Sequence, residues 1–311
     1  MVKENYNFWS TDAQTKLKAV IYKPEGETIA TVIIAHGIGE HIGRYEKFAE
    51  FLTSKKITVA GFDCIGHGSS ISKKKAPMYF GEEGSWNYLV GDFGIFTEMV
   101  KEFFPDVPCF VLGFSMGSFV VRCALATGKV KADGAILAGT GEISQFVAKM
   151  VKSLVSKEAK KVGGDDKQSE KVNEMAFGNY NKYFKPCKTE FDWLCQNEEA
   201  LQEYIQDPLA RKFITPGMFR ELLSGMAFAS KEANMKKCNI KIPILLVSGE
   251  NDPVGEFKKA VSRVAKKFNK NGFETKVIWY PNSRHDIFHD NCQEKAMQDI
   301  YEWINSQILS K

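Results

Sequence analysis

The chain has 311 residues, of which 44% are hydrophobic and 26% are charged, and this balance excludes a largely disordered protein. Its 42 basic and 38 acidic residues leave a formal net charge of +4. Lysines cluster only at Lys73 to Lys75 and near Lys157 to Lys161. Because such short clusters are more often solvated faces than nucleic-acid footprints, we expect no nucleic-acid partner.

The N-terminal residues MVKENYNFWSTDAQ lack the apolar core of a secretory signal. No stretch reaches the roughly 18 consecutive apolar residues that a membrane span requires. The seven cysteines are widely spaced and form no C-x-x-C pair, which is typical of buried thiols in a reducing compartment. We therefore expect a soluble, cytoplasmic protein.

Short apolar runs alternate with helical patterns from residue 1 to about residue 140. The runs are rich in Val and Ile and apolar on both faces, which is typical of parallel strands covered by helices. The predicted strands cover residues 17–22, 31–35, 57–63, 109–114 and 134–139. The predicted helices cover residues 44–54, 86–104 and 117–126. This alternation predicts an open, mostly parallel α/β sheet.

The next segment, residues 142–236, contains no convincing strand pattern. From Ile143 to Val155 apolar residues recur every three or four positions, which predicts an amphipathic helix. Further along, Thr215 is placed to cap a helix whose first turn contains Pro216. We therefore expect residues 142–236 to form an inserted helical cap.

Alternation resumes after this insertion. Predicted strands cover residues 242–249 and 274–281, and predicted helices cover residues 256–271 and 294–309. A sheet that is interrupted by helices and then continued is one domain carrying an insertion. The predicted core therefore consists of residues 1–141 and 237–311.

The stretch VLGFSMGS, residues 111–118, places one serine between two glycines where a predicted strand meets a predicted helix. Strand, sharp turn and helix in this order are the context of a nucleophile elbow. Gly113 and Gly117 fit this context because side chains beside the nucleophile would crowd the strand and the helix. The pattern predicts that Ser115 is a nucleophile.

A serine hydroxyl needs a base, and the chain offers five histidines. In α/β-hydrolases the nucleophile precedes the acid and the acid precedes the histidine, which selects His285 and His289. We favour His285, in a loop four residues beyond Pro281, and expect His289 to be a partly exposed surface residue. We expect His36 to be buried and structural.

The acid should follow a strand between the serine and the histidine. Asp252 meets this condition, and the following Pro253 stiffens the loop and removes a competing donor. Its expected role is to orient His285 and stabilise the imidazolium. Glu250 and Asp286 remain alternatives, since both could equally be solvated loop charges.

The oxyanion of the tetrahedral intermediate needs two N–H donors. In this architecture one comes from the residue after the nucleophile, here Met116, and one from the loop after the third strand, here Ile38. Gly37 and Gly39 give that loop the freedom to turn the N–H of Ile38 toward the serine.

Five motifs in fixed order resemble the monoacylglycerol lipase and lysophospholipase branch of the serine α/β-hydrolase family. They are HGIGEHIGRY (36–45), DCIGHGSS (63–70), GFSMGS (113–118), SGENDPVG (248–255) and SRHDIFHD (283–290). The resemblance implies an α/β-hydrolase fold with a cap, Ser115, Asp252 and His285 as the catalytic set, no cofactor or metal, and hydrolysis of single-chain lipid esters. Phe114 and Ile38 depart from the family pattern by replacing a polar and a smaller residue.

The expected partner is a small-molecule acyl ester, and two rivals on the same fold are a serine aminopeptidase or amidase and a short-chain esterase. Apolar residues of the cap could line an acyl tunnel, although for any one of them packing onto the core is the better interpretation. They are Met218, Phe219, Leu222, Leu223, Met226 and Phe228, with Met175, Phe177, Tyr180, Tyr183 and Phe184. The stripe from Ile143 to Val155 offers a third alternative, transient contact with a membrane surface, because its polar side carries Lys149 and Lys152.

Overall fold

The computed structural model describes residues 1–72, 75–238 and 240–310, so Lys73 and Lys74 of the first lysine cluster lie outside the described residues. Eight strands form one sheet in the order β1-β2-β4-β3-β5-β6-β7-β8. They are β1 Val2–Trp9, β2 Lys16–Lys23, β3 Ala30–Ala35, β4 Ile57–Phe62, β5 Cys109–Phe114, β6 Gly134–Ala138, β7 Ile244–Gly249 and β8 Thr275–Tyr280. Only β2 pairs antiparallel with its neighbours β1 and β4. The predicted mostly parallel sheet is confirmed.

Helices cover both faces of the sheet. They are α1 Glu46–Ser54, α2 Trp86–Phe103, α3 Met116–Ala126, α4 Gln145–Val162, α5 Glu170–Phe177, α6 Glu198–Gln206, α7 Pro216–Ser230, α8 Glu232–Lys236, α9 Lys259–Lys270 and α10 Gln293–Leu309. The apolar cluster on one face includes residues of α2, α3 and α9, and the cluster on the other face includes residues of α1 and α10. Consequently β3 to β7 are buried along their whole lengths.

The first strand, β1, was not predicted from the sequence. It lies at the edge of the sheet and pairs only with β2, so that most of its side chains are exposed. Its polar sequence VKENYNFW therefore lacks the continuous apolar run by which the buried strands are recognised.

The chain between β6 and β7 is helical. Helices α4 to α8 lie in residues 142–236, and no strand occurs there. Thr215 caps α7 by accepting a hydrogen bond from the N–H of Met218, and Pro216 occupies the first turn as predicted. We call residues 142–236 the helical insertion, and the division of the chain into core and cap stays a prediction.

The cysteine prediction is only partly correct. Five of the seven thiols are buried, but Cys187 is exposed and Cys292 is partly exposed. Cys187 lies in an irregular part of the helical insertion. Among the described residues, none of the helices is both long enough and apolar enough to cross a membrane.

Candidate active site

Ser115 is the single residue between β5 and α3. Its backbone angles, φ 50° and ψ −116°, lie in a region that side-chain-bearing residues rarely occupy. The strained turn is held by a hydrogen bond of 2.9 Å from the N–H of Ser115 to the carbonyl of Ala138 on the neighbouring strand β6. The turn leaves the serine half-buried at the carboxyl edge of the sheet.

The two flanking glycines are required by close backbone contacts. A Cβ on Gly113 would lie 2.3 Å from the carbonyl oxygen of Gly117, and a Cβ on Gly117 would lie 1.9 Å from the carbonyl oxygen of Ala35. Both distances are far below van der Waals contact. The start of α3 therefore packs directly on the end of β3, which brings the loop after β3 beside Ser115.

The structure brings together the three side chains that the sequence selected. The Nε2 of His285 lies 2.9 Å from the Oγ of Ser115, and the Nδ1 of His285 lies 2.9 Å from the Oδ1 of Asp252. Ser115, Asp252 and His285 follow β5, β7 and β8, which are parallel, so their carboxyl ends meet at one edge. His285 and Asp252 are 1% and 0% exposed, so the pair is shielded from water.

Further hydrogen bonds orient the carboxylate of Asp252. Its Oδ1 also accepts from the backbone N–H of Val254 at 2.8 Å, and its Oδ2 accepts from the hydroxyl of Ser248 at 3.4 Å. Pro253, between Asp252 and Val254, contributes no N–H. The carboxylate is therefore held by β7 and by its own loop, as well as by its hydrogen bond to His285.

The two alternative acids lie elsewhere. Glu250 forms an ion pair with Lys258 at 2.9 Å. Asp286 is bound by Arg44 at 3.1 Å and by the Nδ1 of His289 at 2.9 Å, whereas the Nε2 of His289 donates to the carbonyl of Arg44 at 3.0 Å. Burial alone would raise the pKa of Asp286, but the charges of His289 and Arg44 outweigh burial and hold that pKa well below its usual range.

The two expected oxyanion donors lie next to the elbow. Met116 is the first residue of α3, so its N–H has no acceptor within the helix. Ile38 lies in the loop after β3, where Gly39 adopts a φ of 74°. A Cβ on Gly37 would lie 3.0 Å from the ring of Phe114, so this loop packs against the residue before the serine. The use of these two N–H groups as oxyanion donors stays a prediction.

His36 is buried and structural, as the sequence suggested. Its Nε2 accepts a hydrogen bond of 3.0 Å from the backbone N–H of Cys64, and its Nδ1 donates to the carbonyl of Gly37 at 2.7 Å. The Nε2 bond therefore connects the loop after β4 to the loop after β3, and the Nδ1 bond stays within the loop after β3.

A family model described as serine aminopeptidase, S33 matches residues 26–292. The chain belongs to this α/β-hydrolase family. The hydrolase is 30% identical over 306 residues to the monoglyceride lipase of Mus musculus, covering 93% of this chain and 86% of the relative. It is 23% identical over 291 residues to the monoacylglycerol lipase of Mycolicibacterium smegmatis, covering 93% and 92% of the two chains.

Solved structures are similar over nearly the whole chain. A thermostable carboxyl esterase of Bacillus coagulans, in complex with glycerol, has a TM-score of 0.90 at 25% identity and covers 99% of both chains. A soluble variant of the monoglyceride lipase of Saccharomyces cerevisiae, in complex with a substrate analog, has a TM-score of 0.73 at 16% identity and covers 98% of this chain and 94% of its own. The predicted α/β-hydrolase fold is confirmed, and the chain is a monoacylglycerol lipase- or esterase-like hydrolase.

The hydrolase also places an aromatic residue at the site that the sequence did not indicate. The ring of Trp193 lies 5.2 Å from the imidazole of His285, and the ring of Phe114 lies 5.0 Å from it. Phe114 was noted as a departure from the family pattern, and its contact with His285 accounts for an aromatic residue there. Trp193 lies in an irregular segment without periodicity, so no spacing pattern could identify it.

The apolar residues of the helical insertion divide into two groups. On α7, Met218, Phe219, Leu222 and Leu223 are buried in the main apolar cluster, which agrees with packing. By contrast, Phe177 lines a pocket that contains Ile38 and Trp193. Tyr183 is exposed and belongs neither to the buried group on α7 nor to the lining of this pocket.

Proposed function

We propose that this hydrolase cleaves carboxylic esters of single-chain lipids, of the monoacylglycerol or lysophospholipid type, through a covalent acyl-serine. The observation that carries the proposal is the hydrogen-bonded chain from Ser115 through His285 to Asp252, with 2.9 Å at each step. Curated monoglyceride lipases among the relatives support the substrate class.

In the first half of the proposed reaction, the Oγ of Ser115 attacks the ester carbonyl carbon while His285 accepts the hydroxyl proton. Asp252 holds the imidazole in the correct tautomer and stabilises its charge. The N–H groups of Met116 and Ile38 bind the oxyanion. When the tetrahedral intermediate collapses, the C–O bond to the alcohol breaks and His285 returns the proton to the leaving oxygen.

In the second half, water attacks the acyl-serine. His285 takes a proton from this water, and a second tetrahedral intermediate forms at the same oxyanion donors. Its collapse releases the free acid, and the proton on His285 returns to Ser115. The cycle consumes one water and requires no cofactor.

A small cavity of about 30 Å³ beside Ile38 supports an apolar group next to this expected oxyanion donor, and a longer acyl chain would require the cavity to widen. Its lining is mostly aromatic and aliphatic and comes largely from the helical insertion, which supports a cap role for that segment. The lining residues are Ile38, Gly39, Met78, Phe177, Phe191, Trp193, Leu194, Tyr204, Arg211, Lys212 and Phe213.

The same lining argues against the aminopeptidase alternative. A substrate with a free α-ammonium group needs an acidic partner, and no Asp or Glu is among the described residues that line this pocket. Arg211 and Lys212 are present instead, and both would repel a substrate ammonium. A short-chain esterase remains the second candidate because the lining alone does not set the acyl length.

Substitution and labelling of Ser115 test the mechanism. We expect a fluorophosphonate to label the wild-type protein once per chain, and Ser115→Ala to abolish labelling and lower kcat by about 10⁴-fold or more. Ser153→Ala, at an exposed position on α4, is a control that should change neither labelling nor kcat. Persistent turnover by Ser115→Ala at the wild-type rate would remove the acyl-serine mechanism.

Substrate series test the chemical class. We expect monoacylglycerols to be turned over faster than an aminoacyl arylamide, and rates on acyl esters to rise with chain length beyond butyrate. Preference for the arylamide would favour the aminopeptidase alternative. Activity confined to acetyl and butyryl esters would leave an esterase without the lipid assignment.

We also propose that α4 makes transient contact with a lipid surface. Phe146, Val147, Met150 and Leu154 on this helix are exposed to solvent. Lys149 is exposed beside them and could face anionic headgroups. A cytoplasmic location stays a prediction from the sequence.

A further inference from the structure

We propose that Trp193 is a positioning residue that holds the imidazole of His285 in line with Ser115. The proposal rests on the proposed function, because it takes His285 to be the base. It differs from that function in naming a residue of the helical insertion as part of the catalytic geometry. The predicted cap would then complete the site rather than only cover it.

The imidazole of His285 is held by two hydrogen bonds and two aromatic contacts. Both ring nitrogens are engaged, Nε2 with Ser115 and Nδ1 with Asp252. The rest of the ring is packed against Phe114 at 5.0 Å with an interplanar angle of 37° and against Trp193 at 5.2 Å with an angle of 34°. Two hydrogen bonds at 2.9 Å fix the ends of the ring, and the aromatic contacts resist rotation away from them.

The segment that carries Trp193 is tied to the loop that carries His285. The N–H of Asp286 donates to the carbonyl of Leu194 at 2.7 Å. The guanidinium of Arg284 donates to the carbonyl of Cys195 at 3.2 Å and also to the carbonyl of Asp192. The residues on both sides of His285 are therefore bonded to the residues on both sides of Trp193.

Asp290 adds a second connection between the same two segments. Its Oδ1 accepts from the N–H of Gln196 at 2.9 Å, and its Oδ2 accepts from the N–H of Arg284 at 2.8 Å. Asp290 is buried, so these bonds are protected from water. The distance between Trp193 and His285 is thus fixed by one backbone hydrogen bond and by the side chains of Arg284 and Asp290.

The indole ring is itself held in place. Phe177 stacks on it at 6.0 Å with an interplanar angle of 14°, and Tyr180 packs on it at 4.9 Å. The backbone N–H of Trp193 donates to the side-chain oxygen of Asn181 at 2.9 Å, which fixes the backbone that carries the ring. Trp193 is buried, so it presents a rigid aromatic surface to the imidazole.

An aromatic ring has a specific advantage at this position. During attack His285 becomes an imidazolium cation, and a cation is attracted to the face of an aromatic ring, most strongly to tryptophan. This attraction exists only while the proton is on the histidine. Trp193 would therefore favour the charged state on the reaction path more than the resting state, which raises kcat rather than substrate affinity.

Three substitutions of Trp193 test the proposal, with p-nitrophenyl acetate as substrate because its acyl group is too short to depend on the apolar pocket. We expect Trp193→Ala to lower kcat about 10- to 30-fold with KM changed less than about 3-fold. Trp193→Phe should recover kcat to within about 3-fold of wild type. Trp193→Leu, which fills the space without an aromatic face, should stay at least 5-fold below Trp193→Phe.

Trp279→Ala is the matched control for loss of a tryptophan. Trp279 is half-buried on β8, and its ring contact is with the Lys258 ammonium at 5.6 Å rather than with His285. We expect this control to keep wild-type kcat. Thermal unfolding of each variant establishes that it is folded at the assay temperature.

The outcomes separate this inference from the proposed function. A kcat of Trp193→Ala within 3-fold of wild type, or equal recovery by leucine and phenylalanine, would overturn the positioning role while fluorophosphonate labelling of Ser115 stayed intact. Loss of labelling in the wild-type protein would instead overturn the proposed function. A fall in kcat of Trp193→Ala that phenylalanine restores and leucine does not would support both.

Discussion

Asp92 is a buried carboxylate on α2 that holds the turn between β1 and β2. Its Oδ2 accepts from the hydroxyl of Ser10 at 2.8 Å, and its Oδ1 accepts from the N–H and the hydroxyl of Thr11 at 2.6 and 2.8 Å. These hydrogen bonds favour the charged carboxylate, but burial has the larger effect and raises the pKa of Asp92 to about 6.

Because of this raised pKa, the contribution of Asp92 to the stability of the fold should fall as pH rises. An unfolded Asp has a pKa of about 3.9, so between pH 4 and pH 6 the folded chain holds a proton on Asp92 that the unfolded chain has lost. The Asp92 contribution to the free energy of unfolding should therefore fall as pH rises through this window, by up to about 1.4 kcal/mol per pH unit. Urea unfolding at several pH values measures it.

Asp92→Asn provides the comparison because an amide does not titrate. As pH rises from 4 to 6, the unfolding free energy of the wild-type protein should fall relative to that of Asp92→Asn. Other carboxyl groups contribute equally to both proteins and cancel. A difference that stays constant across this range would show that the pKa of Asp92 is ordinary.

At the residue scale, the sequence identified the side chains whose order along the chain is constrained by chemistry. Ser115 stood between two glycines that only a tight elbow requires, and His285 and Asp252 followed from the order of nucleophile, acid and base. Trp193 could not be found in this way. Its position depends on hydrogen bonds from the side chain of Arg284 to backbone carbonyls about 90 residues away, and no local pattern encodes them.

At the element scale, buried parallel strands were predictable because their residues are apolar on both faces. The edge strand β1 was missed because its exposed side chains are polar. The short helices α5, α6 and α8 were also missed, since five to nine residues establish a helical period poorly. The nine-residue α1 was predicted because it lies between two predicted strands in the alternating pattern. Long helices such as α2 and α10 were predicted to within about two residues at each end.

The apolar residues of α4 are partly buried and partly exposed. Ala148, Val155 and Ala159 are buried against the rest of the molecule. Phe146, Met150 and Leu154, which recur every four residues, are 76%, 49% and 47% exposed and form the surface that we call the α4 face. Exposed apolar residues that share one side of a helix are typical of an interaction surface rather than of packing.

Vesicle binding tests whether the α4 face contacts lipid. We expect the wild-type protein to float with phosphatidylcholine vesicles, more strongly when phosphatidylglycerol is added because Lys149 lies beside the face. Replacing Phe146, Met150 and Leu154 with serine should lower the bound fraction about 10-fold or more. Turnover of a soluble short-chain ester should not change.

The control for this experiment is Phe103→Ser. Phe103 is 48% exposed at the end of α2, so its loss changes surface hydrophobicity without touching the α4 face. It should leave vesicle binding at the wild-type level. Equal binding by the triple serine variant and the wild-type protein would contradict a lipid contact through α4.

At the scale of the whole molecule, the helical insertion and the sheet share one apolar core. A single cluster contains Val121 and Leu125 of α3 together with Phe219 and Leu222 of α7. Shared burial of this kind makes separate unfolding of the two parts costly, because each would expose the apolar surface that the other covers. We therefore expect one cooperative unfolding transition.

Arg122 lies at the seam between these two parts and is buried. Its guanidinium donates to the carbonyl of Gly141 at 2.8 Å, to the hydroxyl of Thr140 at 3.2 Å and to the carbonyl of Ala229, at the end of α7, at 2.9 Å. Burial lowers the pKa of Arg122 to about 10, so the group is still charged at neutral pH. All three acceptors are neutral. The Thr140 hydroxyl also accepts from the hydroxyl of Ser118 at 2.8 Å, so it is the carbonyls of Gly141 and Ala229 that depend on Arg122.

Arg122→Met tests whether the seam unfolds with the rest of the chain. Methionine restores much of the buried volume but leaves the carbonyls of Gly141 and Ala229 without their donor, which should cost about 2–4 kcal/mol of unfolding free energy. Tryptophan fluorescence and far-ultraviolet circular dichroism should still report one coincident transition, shifted to lower denaturant. Two separated transitions would mean that Arg122 alone couples the helical insertion to the sheet, and an unshifted midpoint would mean that its hydrogen bonds add nothing to the shared apolar core.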